Sequence, residues 1–197
     1  MRLFVAIYPP PSSLDHLAEF LAPRQEAGPE LRWTVPEQWH LTLAFLPRVD
    51  DRHLDDLTDR LARAVARRTS LAVALRGAGA FPDPARARVL YARVETEGAE
   101  LERVAVGVRA AANKAGAGAD GGPFRPHVTL ARTGRPIEAT RWLRVLDAYR
   151  GETWQAHQVS LVASHLGEGP RGRPRHEVVG TFPFGVGEFG HETETGA

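Results

Sequence analysis

No cysteine occurs in the 197 residues, which excludes a disulfide framework, thiolate metal sites and a cysteine nucleophile together. Lysine is nearly absent as well: Lys114 stands alone and every other cation is an arginine. Long apolar runs are missing, and none approaches the ~18–20 residues needed to span a bilayer. The opening stretch, Met1-Arg2-Leu3-Phe4-Val5-Ala6-Ile7, has too short an apolar core for a signal peptide. It runs into proline where a cleavage site would need small residues, so the chain is expected to be cytoplasmic. An excess of one charge is lacking too. Lys and Arg number 25 against 24 Asp and Glu, a net charge of +1 that excludes a strongly basic nucleic-acid coat. What is present is an ordinary globular composition, 43% apolar and 25% charged, with room for one domain or two small lobes sharing a core. The arginine bias fits the general abundance of Ala, Gly and Pro. Arginine nevertheless offers planar, bidentate phosphate recognition wherever a phosphate site exists.

Hydropathy patterning predicts a buried strand over 2–8, then a helix capped by Ser12 or Ser13 and ended by Pro23, Gly28 and Pro29. A short strand over 31–34 and a longer one over 39–46 follow, the latter by alternation and its aromatic content. Asp50 or Asp51 caps a second helix carrying Leu54, Leu57, Leu61 and Val65 on one face. Two strands over 71–81 and 88–94 complete the first half. The second half repeats this order, after a helix over 99–112 and a Gly-rich loop over 116–122: a strand over 124–130, a helix over 137–149, then strands over 159–164 and 175–182. The repetition predicts an α+β fold of two pseudo-symmetric lobes of antiparallel sheet, with outer helices around a central cleft. One bilobal domain is expected over 1–185 and a flexible tail over 186–197.

Two tetrapeptides carry the chemistry: His40-Leu41-Thr42-Leu43 and His127-Val128-Thr129-Leu130. On a strand, residues i and i+2 share a face. His40 and Thr42 therefore point one way while Leu41 and Leu43 enter a core, and the second copy behaves alike. One His-x-Thr is unremarkable in a chain with eight histidines; two copies with the same apolar spacing are not.

Two facing imidazole–hydroxyl pairs suit phosphodiester hydrolysis. One neutral imidazole takes a proton from water, and one protonated imidazole gives a proton to the leaving oxygen. Two threonine hydroxyls donate to the non-bridging oxygens, where charge builds in the transition state. A 2′,3′-cyclic phosphate fits such a site well, because ring strain lowers its barrier and a metal is not obligatory.

The chain resembles the 2H phosphoesterase superfamily, and within it the RNA 2′,3′-cyclic phosphodiesterases, also called 2′-5′ RNA ligases. The likeness runs over roughly 1–185. It rests on Arg2-Leu3-Phe4-Val5-Ala6-Ile7, Leu31-Arg32-Trp33, Trp39-His40-Leu41-Thr42-Leu43, Gly79-Ala80-Phe81-Pro82, Arg88-Val89-Leu90-Tyr91, Phe124-Arg125-Pro126-His127-Val128-Thr129-Leu130-Ala131-Arg132 and Ser164-His165-Leu166-Gly167. The resemblance implies hydrolysis of a terminal 2′,3′-cyclic phosphate to a 2′-phosphomonoester, without metal or cofactor, by a monomer acting on RNA ends such as those of tRNA fragments. It implies His40 as proton donor and His127 as proton acceptor, with the opposite assignment open. Thr42, Thr129 and Arg132 would bind phosphate. Strict alternation would put Arg132 opposite His127, so that role requires the strand to end or twist by Ala131.

Arg125, Phe4 and His176 are further candidates for substrate contact. Phe4 serves core packing equally well. His176 stands where the family usually carries an aromatic, commonly tyrosine, which bears on base preference. His157, His165 and His176 lack the spacing of a metal site, and no metal is expected. The run Arg171-Gly172-Arg173-Pro174-Arg175 is the densest basic stretch and is expected in a turn between strands. Competing readings are another small cyclic phosphate or 2′-5′ oligonucleotide as substrate, 2′-5′ ligation, and an RNA-end binding protein without turnover.

Overall fold

Apolar alternation and two short helical pairs settle into a curled antiparallel sheet backed by helices, and the computed structural model describes residues 1–185 of it. The tail expected over 186–197 lies outside the described residues. In chain order the first half contains β1 (Leu3–Ile7), α1 (Pro11–Ala27), β2 (Arg32–Trp33), β3 (Leu41–Leu46), α2 (Leu54–Ala66), β4 (Leu71–Phe81) and β5 (Ala87–Thr96). The second contains α3 (Glu100–Lys114), β6 (His127–Ile137), α4 (Thr140–Leu146), β7 (Trp154–Ala156), β8 (Gln158–His165) and β9 (Arg175–Pro183).

The strands run in the order β7-β4-β5-β6-β3-β1-β8-β9, with β2 also on β6. At the centre, β3 and β6 meet through the single pair Leu41 and Val128. Beyond that pair the two strands part, and β2 takes over the edge of β6, placing Arg32 opposite Arg132 and Trp33 opposite Ala131. The sheet therefore has two arms hinged on a narrow seam, and the cleft opens between them. The pseudo-symmetry is the expected one, but the arms are not the two halves of the chain. Hairpin β4–β5 from the first half extends β6, and hairpin β8–β9 from the second extends β1 and β3. The helices follow: α2 packs on α3 behind β3 and β9, while α4 lies on β4. From α1, Phe20 reaches Tyr149, just beyond α4, with ring centres 4.9 Å apart.

Two bulges matter more for function than the strand count. Between β1 and β3 the ladder passes from Val5–Ala44 to Ala6–Thr42 and skips Leu43. Between β5 and β6 it passes from Leu90–Ala131 to Tyr91–Thr129 and skips Leu130. Each bulge lies three residues after a histidine of the repeated tetrapeptide. An extra residue on one strand reverses the alternation beyond it, so the side chains that follow change face.

The first helix departs from expectation at its start and ends at Gly28, one of the expected stops. It starts at Pro11, with no side chain capping it, because a proline at the first helical position forfeits a donor that has no partner there anyway. It also runs through Pro23 and stops at Gly28. Next to that interruption the Arg24 guanidinium donates to the Phe20 carbonyl at 2.5 Å and lies 3.6 Å over the Phe20 ring. The bond missing at Pro23 is the one to the Glu19 carbonyl; the Arg24–Phe20 contacts pack beside it and do not replace it.

The core beneath the cleft is filled by Leu3, Ile7, Trp39, Leu43 and Leu90, all buried. Trp39 is 0% exposed and its indole nitrogen has no hydrogen-bond partner. Trp39→Ala is expected to destabilise the fold by about 3–5 kcal/mol, through lost burial and the cavity left under His40. Trp39→Phe removes the orphaned donor along with the volume and should cost clearly less. Urea unfolding of the two variants, compared with wild type, checks that order.

Candidate active site

The seam pair fixes the placement of four functional side chains. Leu41 lies between His40 and Thr42, and Val128 lies between His127 and Thr129. With Leu41 opposite Val128 and both buried, their neighbours project from the other face into the cleft. Continuing the antiparallel register sets His40 across from Thr129 and Thr42 across from His127. The imidazoles then occupy one diagonal, roughly 7–8 Å between strand positions, and the hydroxyls the other. All four residues line one cleft of about 1050 Å³.

The two imidazoles are held identically. Nδ1 of His40 donates to the Gln38 carbonyl at 2.7 Å, and Nδ1 of His127 donates to the Arg125 carbonyl at 2.7 Å. Each ring is tied to the backbone two residues upstream, which fixes the tautomer and leaves Nε2 free. Aromatic rings hold both in place. Phe4 stacks on His40 with centres 4.6 Å apart, and Tyr8 lies 5.7 Å away. Phe81 and Tyr91 meet His127 edge-on at 4.9 and 5.4 Å.

Burial is the main cause lowering the His40 pKa to about 4, with help from the neighbouring His176, His127 and Arg132 and against the hydrogen bond to Gln38. His127 is also lowered, first by burial and then by Arg132, with its own carbonyl bond opposing. Both rings are consequently neutral near pH 7 when the cleft holds no anion. A donor among them acquires its proton only when negative charge arrives beside it.

Arg132 lines the cleft, and the Leu130 bulge is the reason. Leu130 and Ala131 are both buried, so the alternation resumes one residue out of phase and turns Arg132 to the side of His127 and Thr129. In β3 the Leu43 bulge gives the equivalent place to Phe45, which carries the Arg2 guanidinium 4.5 Å above its ring. Burial, and secondarily Arg32 across the strand pair, lowers the Arg132 pKa.

The other candidates divide. Phe4 lines the cleft and also packs on Ala6 and Val162. His176 lies 5.4 Å from His40 and 4.9 Å from Phe4, with Nδ1 buried and unpartnered. Arg125 contributes its carbonyl to His127, while its exposed guanidinium sits 5.8 Å from the Phe81 ring centre and outside the cleft lining. Of the basic run, Arg173 lines the cleft whereas Arg175 is taken by Glu168 at 2.9 Å and Glu177 at 3.0 Å. His165 turns to Glu177 at 3.1 Å. Among the described residues no three His, Asp or Glu side chains are grouped to hold a metal ion. Sequence reasoning left Arg2, Arg32, Phe45 and Ser164 unassigned, and all four line the cleft. Arg2 and Arg32 flank apolar strand residues, but only the long-range pairing of β2 with β6 reveals where Arg32 faces.

Residues 7–91 and 94–171 match a protein-family model described as LigT like phosphoesterase. An RNA 2′,3′-cyclic phosphodiesterase of Thermus thermophilus is 34% identical over 208 residues, covering 100% of this chain and 96% of that protein. Another of that name from Geobacillus stearothermophilus is 26% identical over 183 residues; 92% of this chain matches 56% of that longer protein. Among solved structures, that of TT0787 from Thermus thermophilus superposes with a TM-score of 0.75 at 30% identity, over 93% of this chain and 97% of that one.

A histidine titration followed by NMR tests the electrostatics directly. The His40 resonances should titrate with a midpoint of about 4, and those of His127 below the ordinary 6.5. Inorganic phosphate in the cleft should move both midpoints upward. Midpoints at or above 6.5 without phosphate would show that burial does not govern the pair.

Proposed function

The chain belongs to the LigT-like phosphoesterases, and from that membership we propose that it hydrolyses 2′,3′-cyclic phosphate ends of RNA to 2′-phosphomonoesters by histidine acid–base catalysis. One observation carries the proposal: two imidazoles with matching carbonyl anchors stand diagonally across a cleft that, among the described residues, no carboxylate lines. A displacement at phosphorus needs the attacking and leaving oxygens on opposite sides. A base and an acid on one diagonal serve that geometry, and hydroxyls on the other reach the non-bridging oxygens.

His127 takes the proton of a water that attacks phosphorus, and His40 gives a proton to the departing 3′ oxygen. The 2′ ester bond survives, so the product ends in a 2′-phosphate. Thr42 and Thr129 donate to the non-bridging oxygens, and Arg132 balances the charge that develops on them. The His40 pKa of about 4 places the donor in its neutral form until substrate binds. The anionic phosphodiester then supplies the charge that raises it. The site is proposed to work without a metal, and on RNA ends, tRNA fragments included.

Incubation with a short RNA ending in a 2′,3′-cyclic phosphate, in EDTA, tests this. Wild type should yield a 2′-phosphate end, and His40→Ala or His127→Ala should each lower turnover by about 10²–10⁴, with the double variant far from additive. A 3′-phosphate product would reverse the leaving oxygen. Retained binding with no product would favour an RNA-end binding protein.

The pH dependence has a definite sign. The bell for kcat/KM reports the free protein, whose two histidines are lowered, so it should centre below pH 6.5. The bell for kcat reports the complex, where the bound anion raises both groups, and should lie at higher pH. Coincident bells would argue against charging of the donor by substrate.

A further inference from the structure

We propose that Arg32, assisted by Arg173, forms a subsite for a second phosphate, the phosphodiester that links the terminal nucleotide to its predecessor. This rests on the reading of the cleft as a site for RNA cyclic ends. Arg32 stands directly opposite Arg132 in the β2–β6 pair, so two guanidinium groups share one face. Like charges placed across a strand pair are destabilising unless something between or beside them is negative.

Among the described residues no carboxylate fills that need. Among the described residues Arg2, Arg32, Arg132 and Arg173 line the cleft without an acidic side chain in its wall and without a salt bridge. Elsewhere some arginines find carboxylates, Arg60 with Asp56 at 2.7 Å and Arg93 with Asp147 at 3.2 Å, while others such as Arg109 and Arg150 bond to backbone carbonyls; what sets Arg32 apart is the second guanidinium directly opposite it. The Arg32 guanidinium has one long hydrogen bond, 3.4 Å to the Thr133 carbonyl, and keeps its remaining donors. Arg173 is fixed beside it by a bond from Nη2 to the Trp33 carbonyl at 3.1 Å. Gln38 donates to the Pro174 carbonyl at 2.8 Å and pins the same loop.

A single reacting phosphate is already met by Thr42, Thr129 and Arg132, so a second cation pair along the wall exceeds what it requires. At ~3.3 Å per strand residue, the Arg32–Arg132 pair lies roughly 7–10 Å along β6 from Thr129. The cleft, about 1050 Å³, slightly exceeds the roughly 300–1,000 Å³ usual for one small ligand. A 2′,3′-cyclic mononucleotide with a free 5′ hydroxyl lacks the second phosphate; a dinucleotide ending in the same cyclic phosphate has it.

The test compares kcat/KM for these two substrates in wild type, Arg32→Gln and Arg32→Lys. Wild type should favour the dinucleotide by about 10–100-fold, the range expected of charge-assisted hydrogen bonds. Arg32→Gln should collapse the ratio towards one and Arg32→Lys restore part of it. A ratio near one in wild type, or one unchanged by Arg32→Gln, overturns the subsite, and so does an equal loss on both substrates. Binding of the corresponding products, a nucleoside 2′-phosphate against the dinucleotide ending in one, reads the same ratio without turnover. Turnover without the ratio removes the subsite alone; an Arg32-dependent ratio in binding without turnover removes the hydrolase reading and leaves the subsite standing.

Discussion

Leu41 opposite Val128 is the only register pair joining the strands that carry the two tetrapeptides, and the chemistry of the cleft depends on it. Both side chains are buried, so hydrophobic burial holds the seam shut from below. Their four neighbours are thereby forced to the opposite face as a square of two imidazoles and two hydroxyls. A slip of one residue in this pairing would invert every side chain on one strand and remove half of the square. Precision at the reacting centre thus derives from core packing on the far side of the sheet. The brevity of the pairing is equally consequential: because β3 and β6 diverge at once, the arms open and β2 enters along the vacated edge.

Electrostatically, the cleft combines four arginines with two imidazoles that burial keeps neutral, and among the described residues its wall has no carboxylate. Such a site holds positive potential that only an anion can relieve. Neutral histidines avoid adding to that repulsion in the empty protein. In the proposed mechanism the same anion that relieves the arginines also raises the imidazoles, so binding and charging of the acid would be one event. A carboxylate beside either histidine would raise its pKa permanently and blunt this coupling, which gives a physical reason for carbonyl anchors at Gln38 and Arg125.

The tetrapeptides were legible from sequence because a period of two needs no tertiary information: His40 and Thr42 share a face wherever the strand goes. Their buried partners Leu41 and Val128 were legible for the same reason. Arg132 was reached only through the family resemblance, since alternation alone turns it away and it is the Leu130 bulge, set by the pairing with β5, that brings it back. Arg32 depends on a contact with a residue 100 positions later in the chain. The repeated order of elements disclosed two pseudo-symmetric lobes, yet the exchange of hairpins between halves involves pairings that local pattern does not encode. Of the stops read for the first helix, Gly28 ends it and Pro23 does not: a proline removes one backbone bond, and the helix continues through it to Ala27.

A centre with two-fold pseudo-symmetry has no intrinsic direction, whereas hydrolysis needs one base and one acid. Direction must come from where the symmetry fails. Five residues after His127 stands Arg132, and five after His40 stands Phe45. His127 is flanked by Phe81 and Tyr91, while His40 is covered by Phe4 and has a third imidazole, His176, at 5.4 Å. Under the proposed function the arginine side would attract the backbone phosphates and the aromatic side would present rings on which a base can stack. A nucleotide laid across such a cleft has one sensible orientation, and that orientation decides which oxygen meets which histidine. On this view the tetrapeptides supply the reaction, and the unlike residues around them supply its sense.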